Sequence, residues 1–150
     1  MAKNPHVVTM GVCLFAASGL NFDVDLYLAS SPFKPAGVFR KGEIPPKDNP
    51  QRLPRPDSGF VLIVSQTEDP GIGSEVGPAT AFLARHVKEL RRLRERGADN
   101  MLLEFGTQAD NRMRQSDYLP PEFINALAAL GLGLVFSAIG TPGLRPGIYG

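Results

Sequence analysis

Tryptophan is absent and cysteine occurs once, at Cys13, so no internal disulfide can staple the chain, and a reducing compartment suits it. Histidine occurs only at His6 and His86, which together with one cysteine leaves no His/Cys zinc site. No apolar run approaches the roughly 20 residues of a membrane-spanning helix. An excess of either charge is lacking too. Sixteen basic residues face fifteen acidic ones, a formal net charge of +1, so any attraction to nucleic acid or an anionic membrane needs a local patch. No internal repeat or shift of composition marks a second domain. What is present, 150 residues that are 43% hydrophobic and 21% charged, has the make-up of one soluble, cytoplasmic globular domain over 1–150. A domain of that size buries roughly 68 to 70% of the surface its unfolded chain exposes.

The main organising stretch is Pro78 to Arg96, P-A-T-A-F-L-A-R-H-V-K-E-L-R-R-L-R-E-R. Phe82, Leu83, His86, Val87, Leu90 and Leu93 recur at intervals of three and four and form one apolar helix face, opposite Arg85, Lys88, Glu89, Arg91, Arg92, Glu95 and Arg96. Pro78 suits the first helical position and Gly97 the residue after the last turn. Upstream, Lys3 and the apolar run to Ala17 have the outline of a weak secretory signal. The single lysine and the interruptions at Thr9 and Gly11 instead favour a central strand, Val7 to Phe15, with Cys13 as a small core residue. Asn21 to Ser30 reads either as an alternating strand or as a short helix capped by Asn21 or Asp23.

Seven of the fourteen prolines fall between Pro32 and Pro56, confining regular structure there to a short edge strand within Ala36 to Glu43 and leaving a long loop, 44–57. Phe60 to Ser65 and Asn100 to Phe105 read as strands. Pro120 to Leu130 reads as a second helix with Phe123, Ile124, Leu127 and Leu130 inward and Gly131 closing it, and Leu132 to Ile139 as the last strand before an irregular Gly/Pro-rich tail, 140–150. This order predicts an α+β two-layer sandwich: one mostly antiparallel sheet of about five strands with two main helices on one face, its first six elements compatible with a ferredoxin-like core.

Signals for chemistry are sparse. G71-I-G-S-E-V-G77 resembles a dinucleotide loop in spacing, yet five residues separate it from the preceding strand, and Glu68, Asp69 and Glu75 oppose a pyrophosphate. The arginines of the long helix have no interleaved aromatics to make a stacking platform. Glu89 and Glu95 stand four residues after Arg85 and Arg91, close enough to neutralise part of that face. His86 reads as a hydrogen-bonded core histidine, and Asp23-Val24-Asp25 as helix-start chemistry rather than a cation site. No nucleophile elbow occurs, and carboxylate pairs assembled from distant positions would leave no linear trace. No catalytic residue, metal or cofactor is therefore expected.

Three segments carry a resemblance. These are Y-L-A-S-S-P-F-K-P-A-G-V-F-R-K-G-E, the long helix with its following M-L-L-E-F, and Y-L-P-P-E-F-I-N-A-L-A-A-L-G-L-G-L-V-F-S. They resemble a bacterial family of uncharacterised proteins catalogued as domain of unknown function 4279, over about Val8 to Ile139, with Arg40-Lys41-Gly42-Glu43 as the one compact motif. The resemblance implies a small α+β protein without established activity, some members being thought to act as immunity-like proteins beside bacterial toxins, and it favours a short helix near Asp23 to Leu28. The expected function is then a non-enzymatic protein-binding module. Its candidate surface is Lys34, Arg40, Lys41, Gly42, Glu43, Arg52 and Arg55, with Lys47, facing an acidic protein partner. The alternative is a small-molecule or nucleotide-binding enzyme domain using Gly71 to Gly77. A third expectation is a homodimer paired through an exposed sheet edge.

Overall fold

The computed structural model describes residues 11–47, 52–68, 73–107 and 117–138. Five strands, β1 (Gly11–Gly19), β2 (Gly37–Phe39), β3 (Ser58–Thr67), β4 (Asn100–Thr107) and β5 (Gly133–Ala138), alternate with four helices, α1 (Val24–Ala29), α2 (Gly73–Arg85), α3 (Val87–Glu95) and α4 (Pro121–Leu130). The sheet runs β2-β3-β1-β4-β5. The first four strands pair antiparallel, and β5 joins β4 in parallel. The expected α+β sandwich is thus formed, and β1 to β4 take the split β-α-β order of a ferredoxin-like core, with β5 added at one edge.

Strand β1 lies at the centre because both its faces are apolar. Cys13, Phe15 and Ala17 face the helices, and the other face carries Val12, Leu14 and Ala16. Phe15 meets Phe33, Phe60 and Phe82 at ring-centroid distances of 6.4, 6.3 and 5.5 Å. Each such ring pair adds about 0.5 to 1.5 kcal/mol beyond the area it buries. Across the sheet Phe105 receives Phe123 of α4 at 5.9 Å. A bulge opposite Cys13/Leu14 inserts Val64 between the partners Ile63 and Ser65, so Ser65 turns to the helix face alongside Cys13.

Three sequence expectations change. The long helix begins at Gly73, and Pro78 lies inside it on an exposed face, giving up one helical hydrogen bond in return for burying Val76 and Ala79. It also breaks at His86, whose φ and ψ of −111° and 22° leave the helical region. The halves sit differently: α2 covers β3, β1 and α4, while α3 packs beside α4 and buries Leu90 and Leu93 in the common core. On α4, Phe123, Leu127 and Leu130 are buried as expected, but Ile124 is 49% exposed. The ambiguous stretch is helical, because Asp23 accepts a hydrogen bond from Leu26 N–H at 3.1 Å and Tyr27 is buried against Phe60. The expected strand start at Val7 to Met10, the loop tip 48–51 and the tail lie outside the described residues.

Helix α4 ends on Gly131 at φ +69°, with Leu132 N–H donating to Leu127 O at 2.9 Å and Gly131 N–H to Ala128 O at 3.2 Å, the paired bonds of a Schellman close. Helix α3 closes the same way on Gly97.

Candidate functional site

The basic segment leaves β2 through a tight turn. Glu43 N–H donates to Arg40 O at 3.0 Å, Arg40 N–H returns a bond to Glu43 Oε1 at 2.6 Å, and Gly42 between them takes φ +89°. The turn is held to the returning loop by Gly42 N–H on Arg55 O at 2.8 Å, Arg55 N–H on Glu43 O at 2.9 Å and Lys41 N–H on Ser58 Oγ at 2.9 Å. Gly42 and Glu43 therefore shape the turn. Arg40 forks onto Asp25 of α1, Nε to Oδ2 at 2.9 Å and Nη2 to Oδ1 at 2.8 Å. Its hydrogen bonds hold the Asp25 carboxyl below the usual range, and Asp25 in turn raises the guanidinium. Arg55 lies over the Phe39 ring, 4.4 Å from its centroid.

Two of the predicted cations are thus occupied within the fold. Lys34, Lys41, Lys47 and Arg52 remain exposed, and Lys41 Nζ lies 3.5 Å from the carbonyl of Leu20. That contact brings the turn beside α1.

On the other side of α1 lies a groove of about 340 Å³, lined by Asn21, Leu26, Tyr27, Ser30, Arg92 and Arg96 among others. Three hydrogen bonds preset its floor. The Tyr27 hydroxyl donates to Glu89 Oε2, Arg92 Nη1 donates to the same oxygen at 2.8 Å, and Arg92 Nη2 donates to Ser30 Oγ. The Arg92 guanidinium also lies 5.0 Å from the Tyr27 ring centroid. Burial first, and then donation to Glu89, raises the Tyr27 hydroxyl well above its ordinary value, so it stays protonated. Arg96 forms no ion pair among the described residues. Leu20 and Leu26 are 60% and 63% exposed, so α1 and its approach present apolar side chains between Lys41 on one flank and Arg92 and Arg96 on the other.

Sequence reasoning missed this arrangement because the undecided state of Asn21 to Ser30 hid which side chains would face α3. The available signal was the spacing of Arg92 and Arg96, four residues apart and so on one helix face. Glu89 pairs with Arg92 rather than with Arg85, because Tyr27 and Arg92 reach the same carboxylate oxygen. Arg94 binds carbonyls at the end of α4.

The glycine-rich stretch takes another form. Residues 73–77 are the first turns of α2 rather than a connecting loop, and Glu75 there is 1% exposed. The Ser65 hydroxyl donates to Glu75 Oε2, while Oε1 has no partner among the described residues. A carboxylate within the first turns of the helix opposes a nucleotide phosphate at that end, and residues 71 and 72 of the stretch lie outside the described residues. Burial, with a smaller contribution from Glu75, pushes the Cys13 thiol up to about 12, so it remains an unreactive protonated group. The His86 ring packs between Phe33 and Phe82, with centroids at 5.1 and 4.8 Å; burial and then Arg85 lower its pKa, against the opposing pull of Glu89. Asp23 and Asp25 act as helix cap and ion-pair partner. Among the described residues no group of three His, Cys, Asp or Glu side chains is placed to hold a metal ion, and no helix is long and apolar enough to cross a membrane. A second groove, about 480 Å³ between α2 and α4, is lined mainly by small and apolar side chains, with Glu122 the only charge among the described residues that line it.

Fold and surface together define a small α+β protein with an apolar and cationic face around its first helix. No family model, curated protein or solved structure matches this chain.

Proposed function

We propose that this protein is a non-enzymatic, cytoplasmic protein-binding module of the immunity type, and that the face around α1 receives an acidic, leucine-bearing segment of a partner protein. The observation that carries the reading is the pair of exposed leucines, Leu20 and Leu26, set between Lys41 and the arginines Arg92 and Arg96. Apolar side chains flanked by cations suit a ligand that buries a few hydrophobic groups and is steered and oriented by its carboxylates. Arg92 is fixed in place before any ligand arrives, so little side-chain entropy remains to be lost at that position.

Charge reversal tests the reading at positions that do not hold the fold together. Reversing Arg40 would strip Asp25 of its partner, so Lys41→Glu and Arg96→Glu are the cleaner changes. Binding of a fluorescent peptide rich in glutamate and leucine, and of the proteins encoded by adjacent genes, is measured by anisotropy at low and high salt. The double variant should bind about tenfold more weakly, the two exposed pairs together contributing up to about 2 kcal/mol. Unchanged affinity in the double variant, or equal binding of a lysine-rich control peptide, would overturn the proposal.

A further inference from the structure

The two edges of the sheet are built differently. At one end β2 has only three residues, follows Pro35 and runs into the charged turn at Arg40 and Lys41, all features that discourage another strand from adding there. At the other end β5 carries none of these. It has six residues, G-L-V-F-S-A, without proline or charge, and among the described residues it is hydrogen-bonded on one side only, to β4. Phe136 on this strand is 53% exposed although it stacks on Phe105 at 6.0 Å. Ile124 is also exposed on α4, whose Phe123 rests on the same Phe105 ring.

We propose that the β5 edge pairs with β5 of a second copy of this chain, antiparallel about a twofold axis. The occupant follows from self-complementarity. An antiparallel pair of identical strands satisfies both rows of edge hydrogen bonds, and an uncharged strand meets no like charge when it faces itself. The pleat restricts the register. Leu134 and Phe136 alternate with Val135 and Ser137, and residues directly opposite in an antiparallel pair share a face. Centring the axis on Val135 sets Leu134 of each copy against Phe136 of the other, giving two apolar cross-strand pairs on the helix side. Because the axis stands perpendicular to the sheet, the helices of both copies lie on one side of a continuous ten-stranded sheet, twice the five strands of one chain. The α1 face, which packs on β3 towards the opposite edge, stays free in each copy.

The test uses the full chain with no partner added, so its outcome is independent of the binding proposal. Sedimentation equilibrium across the micromolar range should give twice the 16.2 kDa chain mass, and Phe136→Lys should return the protein to monomer with its circular dichroism unchanged. Val135→Cys provides a readout that does not depend on that variant folding. On the axis, paired Cα atoms stand about 4.5 to 5.5 Å apart, within disulfide reach, so mild oxidation should link two chains in high yield. Wild-type protein that stays monomeric overturns the proposal, as does a dimer that neither responds to Phe136→Lys nor crosslinks through Val135→Cys.

Discussion

Arg94 offers a direct check on how the helices are tied together. It reaches from the last turn of α3 to the end of α4 and donates to Leu130 O at 2.9 Å and Gly131 O at 3.0 Å, with a longer contact to Asp99 O at 3.4 Å. The Arg94→Ala change leaves these carbonyls to water and removes a cation from the negative end of a helix. A partly buried hydrogen bond from a charged donor contributes about 1.5 to 3 kcal/mol, the exposed bonds contribute little, and a cation at a helix C-terminus adds about 0.3 to 1 kcal/mol. The expected loss is about 2 kcal/mol, which for a domain of this size lowers the melting temperature by about 4 to 8 °C. Arg94→Lys keeps the charge but loses the planar fork, so about half the loss should remain. Arg91→Ala, on the exposed side of the same helix, should change stability by less than about 0.5 kcal/mol. Urea denaturation followed by circular dichroism measures all three. If Arg94→Ala proves no more damaging than Arg91→Ala, the tie between α3 and α4 does not stabilise the fold and the reasoning fails.

Three further outcomes follow from the packing. A Cβ added at Gly19 would fall on the carbonyl oxygen of Gly97, so Gly19→Ala should cost about 3 kcal/mol or more in the same denaturation assay; a near-neutral result would mean that β1 and the end of α3 are not in contact. His86 has a folded pKa below its ordinary 6.5, so the unfolded chain takes up its proton first as pH falls. Its contribution is therefore complete above about pH 7 and is lost as pH falls through about 6.5 towards the folded pKa. Wild-type stability should drop more than that of His86→Asn over this window, and parallel curves would refute the assignment. Cys13, fully buried and with its thiol pushed up to about 12, should react with a thiol reagent in denaturant but not in native buffer at pH 8, a result that prompt native labelling would contradict.

The α+β class was legible in the sequence because helical periodicity marks the segments around Leu83 and Phe123, while short apolar runs between turn signals mark the strands at Phe60 and Asn100. The Gly131 close was equally legible, since a left-handed residue after an apolar helix is most easily a glycine. The start of α2 was not. Gly73, Gly77 and Pro78 speak locally for a connection, and helix forms there because Val76 and Ala79 find a core. The candidate surface was half legible. Its cations could be counted, but the pairing of Arg40 with Asp25 and the stacking of Arg55 on Phe39 join positions fifteen or more residues apart. No local pattern records such contacts.

By itself, then, the sequence determined the five strand segments and the bulk of the two main helices, most of their apolar sides, and that neither a disulfide nor a His/Cys zinc site helps hold the chain. Only the tertiary structure decided the break at His86, the turning of Ser65 to the helix face by the bulge, and which arginines are held by other groups of the fold. The physical reason is one of range. Periodicity and capping act within a few residues of the chain, whereas the charge available at a surface depends on which distant groups the fold brings within about 4 Å of it.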